Sequence, residues 1–172
     1  MHRKELIKKL FITLTLIISL ILQFSCTKSP QPVSSNNGMV VSTSSFASKV
    51  GVDILKKGGN AIDAAVAVGF ALAVTYPSAG NLGGGGFMVI HLSDGKNIAL
   101  DFREKAPLSA NKDMYLNEAG EFVPELSQEG TTSAGVPGSV AGLIYALGKH
   151  GTLPLAEVIQ PAIDLAKNGW NL

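Results

Sequence analysis

An arginine at the end of an apolar run, with carboxylates on both sides, is the residue of this chain best suited to hold a small anion. It stands in Leu100-Asp101-Phe102-Arg103-Glu104-Lys105-Ala106-Pro107. A guanidinium presents a planar fork of N–H donors that matches a carboxylate. On the residues alone, Asp101 or Glu104 could take that fork in an internal ion pair, which is the commoner use of such an arginine. A second candidate precedes it, Asn81-Leu82-Gly83-Gly84-Gly85-Gly86-Phe87-Met88, where four successive glycines leave backbone N–H groups unshielded. A phosphate-cradling loop closes on Lys-Ser or Lys-Thr and runs into a helix. Here Phe87-Met88-Val89-Ile90 follows, which reads as a strand, so close backbone packing under a turn is favoured over ligand contact. Thr131-Thr132-Ser133 offers hydroxyls, and a threonine at a chain start can attack with its own amine as base. A cut there would split a polar loop with no core on either side, so these threonines read as a loop leading into a helix cap. His2, His91 and His150 are too scattered to suggest a metal site. No Gly-x-Ser-x-Gly elbow occurs, and no pattern suggests a cofactor.

The elements that must position Arg103 follow from hydrophobic spacing. Met39–Ser42 is short and β-branched and predicts a first strand. Apolar residues at 46, 47, 50, 54 and 55 predict a helix over Phe46–Lys57, closed by Gly58-Gly59. Asn60 can cap a second helix, Ala61–Val74, with Asp63 in its first turn where a carboxylate favours the dipole. That helix is apolar all round, which predicts burial between sheets or against one. Phe87–Leu92 and Lys96–Phe102, joined around Asp94-Gly95, read as a hairpin that puts Arg103 at a strand end. Residues 105–134 read as a polar surface excursion. Gly135-Val136-Pro137-Gly138 opens a helix through about Lys149, and Pro154–Asn168 is a further helical stretch, interrupted or kinked near Pro161. The order implies layered α and β elements with antiparallel pairing, and a sheet that needs further strands.

The 172 residues carry a net charge of +1 and are 46% hydrophobic, which suits one domain or part of a larger one and gives no reason to expect a nucleic-acid partner. His2, Arg3, Lys4, Lys8 and Lys9 precede the apolar run Leu10–Leu22, and Ser25-Cys26 follows. This is the layout of a secretory signal over residues 1–25. Its removal takes four basic residues and one acid, leaving ten basic against twelve acidic and a charge of −2. Cys26, the single cysteine, stands where a bacterial lipoprotein carries its lipidated first residue, although Gln23 and Phe24 depart from the usual pattern. Ordinary cleavage and an uncleaved anchor are the alternatives. Residues 26–38 read as a flexible tether, and 39–172 as the folded part.

Taken together, Gly51-Val52-Asp53-Ile54-Leu55-Lys56-Lys57-Gly58-Gly59-Asn60-Ala61-Ile62-Asp63-Ala64-Ala65, Asn81–Met88, Asp101–Pro107, Gly135–Gly142 and Gly151-Thr152-Leu153-Pro154-Leu155 resemble, in order and spacing, the gamma-glutamyltranspeptidase (glutathione hydrolase) family. The resemblance runs from about Met39 to Leu172 and matches the N-terminal part of the large subunit. It implies an N-terminal nucleophile hydrolase of four-layer αββα architecture, class α+β, incomplete in this stretch. Such a protein is made as a precursor that cuts itself into two subunits. The threonine freed at the start of the small subunit attacks a gamma-glutamyl amide such as glutathione and gives an acyl-enzyme. Water, or an amino acid or peptide acceptor, then resolves it, with an oxyanion hole stabilising the tetrahedral states. The resemblance makes Arg103 the arginine that holds the alpha-carboxylate of the glutamyl group, with Glu104 in support, orienting Arg103 or the local chain. The nucleophile and oxyanion glycines belong to the small subunit, so no catalytic residue is expected within residues 1–172 and these residues alone are expected to be inactive. The implied partners are gamma-glutamyl substrates, acceptors, the protein's own small subunit and, through Cys26, a membrane. The implied location is the periplasm or membrane of a bacterial envelope.

Two rival readings remain at this point. One is a related amide acylase acting on glutaryl-type side chains. The other is a non-catalytic envelope lipoprotein that keeps part of the fold as a binding module.

Overall fold

The computed structural model describes residues 2–23, 29 and 31–170, in two compact units, 1–35 and 36–172. The first unit contains helix α1, His2–Gln23. Thr13 and Thr15 turn their hydroxyls back onto the carbonyls of Lys9 and Phe11 at 2.9 and 2.7 Å, and Leu6, Leu10, Phe11 and Leu14 are exposed. Among the described residues no helix is long and apolar enough to cross a membrane. Cys26 lies outside the described residues.

The second unit is α+β: helices packed with one two-stranded sheet. Helix α2, Ser45–Lys56, starts at Ser44, whose hydroxyl accepts the N–H of Ala47 at 3.4 Å. It stops where Gly58 takes a φ of +91°, a value that L side chains rarely adopt. The N–H groups of Gly58 and Gly59 then close on the carbonyls of Leu55 and Ile54, both at 3.1 Å, a paired C-terminal cap. Helix α3, Ala61–Thr75, begins in a reciprocal box. The Asn60 side-chain carbonyl accepts the N–H groups of Ile62 and Asp63, while the Asp63 carboxylate accepts the Asn60 N–H at 2.7 Å.

Ile62, Ala64, Val66, Ala67, Val68, Phe70 and Ala71 of α3 are buried, as the all-round apolar pattern predicts. Their neighbours differ from expectation, because α3 packs mainly against helices. It lies against α2 and against α5 (Ser139–His150) and α6 (Leu155–Asn168), which bring Val50 and Ile54, Leu143 and Ala146, and Val158 and Ala162 to the core. The sheet adds only Ile90 to the fully buried set. Strands β1 (Phe87–His91) and β2 (Asn97–Asp101) pair antiparallel with Val89 opposite Ala99. Met88, Ile90, Ile98 and Leu100 face the helices, while Phe87 and Val89 are exposed on the other side.

One expectation is corrected. Met39–Ser42 forms no strand: among the described residues no strand lies beside it, and Val40 packs instead onto Gly51 and Val68 of the helices. Helix α6 runs through Pro161 without interruption. The ring removes the N–H that would reach Glu157, an exposed residue whose carbonyl water can serve, while buried Val158 and Ala162 hold the helix to the core. The excursion over 105–134 lies at the surface, as expected, and carries a short helix α4 (Pro124–Gln128) and a 3-10 turn (Thr131–Ser133). Its ends are tied by a two-way backbone bridge between Lys105 and Val136, at 3.1 and 2.8 Å.

Candidate functional site

Arg103 lies two residues beyond the end of β2, and the backbone beneath it is held from three directions. The Phe102 N–H donates to the Gly86 carbonyl at 3.0 Å, continuing the hairpin past its last pair. The Arg103 N–H donates to the Asp101 carboxylate, also at 3.0 Å. The Lys105–Val136 bridge fixes the far side. The glycine run supplies the floor. A Cβ on Gly85 would lie 2.7 Å from the Arg103 Cα and from the Glu104 nitrogen, so a side chain there would displace the arginine. The Gly84 carbonyl accepts the N–H groups of Gly138 and Ser139 at 2.8 and 2.9 Å, which joins the run to the start of α5. Any Cβ on Gly138 would collide with the Phe102 carbonyl. The run therefore packs backbone on backbone at Gly84, Gly85 and Gly86, the reading favoured over ligand contact.

The Arg103 side chain is exposed, and its guanidinium carbon stands 5.7 Å from the centroid of the Phe87 ring. Among the described residues it makes no ion pair or side-chain hydrogen bond. The internal pair open on sequence grounds is not formed: Asp101 turns to the Arg103 backbone, and Glu104 is exposed and makes no ion pair. Arg103 lines a cleft of about 480 Å³ together with Leu100, Phe102, Val136, Pro137 and Tyr145. An accessible guanidinium with unspent donors, at the mouth of a mainly apolar cleft, can bind a carboxylate with both oxygens.

Other candidates lie elsewhere. Thr132 sits in the 3-10 turn, where its hydroxyl donates to the Leu126 carbonyl at 2.6 Å and its own carbonyl accepts the Tyr115 hydroxyl at 3.2 Å. The turn does not cap α5, which starts at Gly138 with no side-chain cap. His91 pairs with Asn97 across the hairpin at 2.8 Å, and the His150 carbonyl accepts the Asn60 side-chain amide at 2.7 Å.

Among the described residues the fully buried ionisable group is Asp63, used structurally. Its carboxylate accepts the Thr152 and Leu153 N–H groups at 2.9 and 3.1 Å, the Thr152 hydroxyl at 2.7 Å and the Asn60 N–H at 2.7 Å. Burial pushes its pKa up, but these hydrogen bonds outweigh burial and hold the carboxyl below its usual 3.8. Sequence reasoning missed this link, and it missed Phe87 under Arg103. The available signal for Phe87 was the hairpin register, which sets it opposite Asp101.

These features define an α+β unit presenting an exposed arginine just past a strand end. The family model for gamma-glutamyltranspeptidase matches residues 47–172. The chain is 57% identical over 144 residues to a glutathione hydrolase proenzyme of Pseudomonas sp. (strain A14), covering 84% of this chain and 25% of that protein. It is 55% identical over 139 residues to the glutathione hydrolase proenzyme of Escherichia coli (strain K12), covering 81% of this chain and 24% of that one. The crystal structure of Helicobacter pylori gamma-glutamyltranspeptidase superposes with a TM-score of 0.76 at 56% identity, covering 81% of this chain and 40% of that one. The chain belongs to the gamma-glutamyltranspeptidase family. It spans about a quarter of the length of the curated relatives it matches.

Proposed function

We propose that this chain is the N-terminal part of the large subunit of an exported gamma-glutamyltransferase or glutathione hydrolase, and that Arg103 holds the alpha-carboxylate of the glutamyl group. The observation that carries the reading is Arg103 itself, fixed at its backbone and unspent at its fork, in a chain of this family. In the proposed reaction the hydroxyl oxygen of a small-subunit threonine adds to the gamma-carbonyl carbon. The tetrahedral intermediate expels the amine, which takes a proton, and leaves a glutamyl ester. Water or an acceptor amine then displaces the threonine oxygen. Arg103 contributes position: with the alpha-carboxylate anchored, the gamma-carbonyl is held at a set distance from the nucleophile. Glu104 supports it through its place in the chain beside Gly85 and Gly135.

The four-layer αββα architecture belongs to the same proposal. Its support is the outward face of the hairpin, where the paired Val89 and Ala99 are exposed opposite the helix-facing side, as in a sheet that packs on a second sheet.

The test is Arg103→Ala in the full-length protein, assayed on a gamma-glutamyl anilide and on the 4-aminobutanoyl anilide that lacks the alpha-carboxylate. A charge-assisted fork contact is worth about 2–3 kcal/mol, so kcat/KM on the first substrate falls roughly 30- to 150-fold while that on the second barely changes. Equal loss on both substrates would remove the assignment.

A further inference from the structure

We propose that Phe87 is the positioning residue of the Arg103 clamp, its ring holding the guanidinium so that the N–H fork stays free for the carboxylate. The proposal rests on the reading of Arg103 given above. An arginine on an exposed strand end has many rotamers, and a clamp that samples all of them must be ordered each time substrate binds. A protein can restrain a guanidinium by an ion pair, by hydrogen bonds to its N–H groups, or by stacking on an aromatic face. The first two occupy donors that the substrate needs. Stacking occupies none, because the attraction is between the cation and the ring's electron-rich face.

Arg103 follows the third route. Its guanidinium carbon lies 5.7 Å from the Phe87 centroid, within reach of a cation–π contact. The nearby Asp101 carboxylate is turned to the Arg103 backbone N–H at 3.0 Å, away from the fork. The two partners are carried on adjoining strand ends. Phe87 is the first residue of β1 and pairs with Asp101, and the Phe102 N–H closes on the Gly86 carbonyl at 3.0 Å between them. Phe87 is 66% exposed, so in this unit the ring does no core packing, and the guanidinium is its charged neighbour.

The experiment measures KM and kcat of the full-length protein on a gamma-glutamyl anilide for Phe87→Leu, Phe87→Tyr, Arg103→Ala and the Phe87→Leu/Arg103→Ala double variant. Phe87→Leu keeps the bulk and loses the face, and it should raise KM about two- to fivefold with kcat nearly unchanged, the span of a cation–π contact at an exposed site. Phe87→Tyr, which restores the face, should restore KM. In the Arg103→Ala background Phe87→Leu should add nothing. If Phe87→Leu does not accumulate, Phe87→Met supplies the same comparison. A Phe87→Leu effect that persists without Arg103, or that Phe87→Tyr shares, means ordinary packing and overturns the proposal. Arg103→Ala raising KM with Phe87→Leu silent overturns the role of Phe87 alone. Arg103→Ala leaving KM unchanged removes the clamp reading, and this proposal with it.

Discussion

A guanidinium serves a carboxylate best when nothing in the protein competes for its fork. Neither neighbouring carboxylate takes the Arg103 fork: Asp101 accepts a backbone N–H, and Glu104 makes no ion pair. The same logic separates Arg103→Lys from Arg103→Ala. Lysine keeps the charge but offers a compact ammonium in place of two parallel donors, so its kcat/KM on the gamma-glutamyl anilide should fall between wild type and Arg103→Ala. At this scale the sequence was partly legible. A charged residue ending an apolar strand marked the position, and motif resemblance supplied the role proposed for it. Whether Arg103 was paired internally could not be read from Asp-Phe-Arg-Glu. That depends on where the Asp101 carboxylate turns, which the hairpin end decides.

Among the elements, the joint that holds the helices together is a carboxylate. Asp63 links the start of α3 to the α5–α6 connection through Thr152 and Leu153, with Asn60 reaching the last carbonyl of α5. A carboxyl held below 3.8 in the fold binds its proton more weakly there than in the unfolded chain. Its stabilisation is therefore complete above about pH 3.8 and drains as pH falls through the depressed folded value. Asp63→Asn should lower the urea midpoint of the full-length protein at pH 7 and flatten its dependence on acid pH. Asp63→Ala, which orphans several donors, should cost about 3 kcal/mol or more. An acid dependence in Asp63→Asn identical to that of wild type would show that the carboxylate is not the joint. Capping boxes, helix stops and the hairpin were legible because each is written in neighbouring residues. The Thr152 partner, 89 positions away, was not. Met39–Ser42 misled because local β-propensity yielded to the packing of Val40 against the helices.

For the molecule as a whole, we propose export through residues 1–25 and a lipid anchor at Cys26. The motives are the basic start, the apolar run that lies within α1, and the single cysteine just beyond it. Cells given an alkyne-tagged fatty acid should label the wild-type protein and not Cys26→Ser; equal labelling would end the anchor proposal. The basic start and apolar run stand out by composition, whereas the family came from long motifs in fixed order, which no single glycine run or arginine could have supplied. The measurement that tests the central claim most directly is amine release by the purified full-length protein from glutathione and from the glutaryl amide of the same amine. A gamma-glutamyl enzyme clamping its substrate through Arg103 should cleave glutathione in clear preference, and Arg103→Ala should lower cleavage of both amides, since each carries the carboxylate that Arg103 holds. Preferential cleavage of the glutaryl amide, or cleavage of neither, would contradict the account.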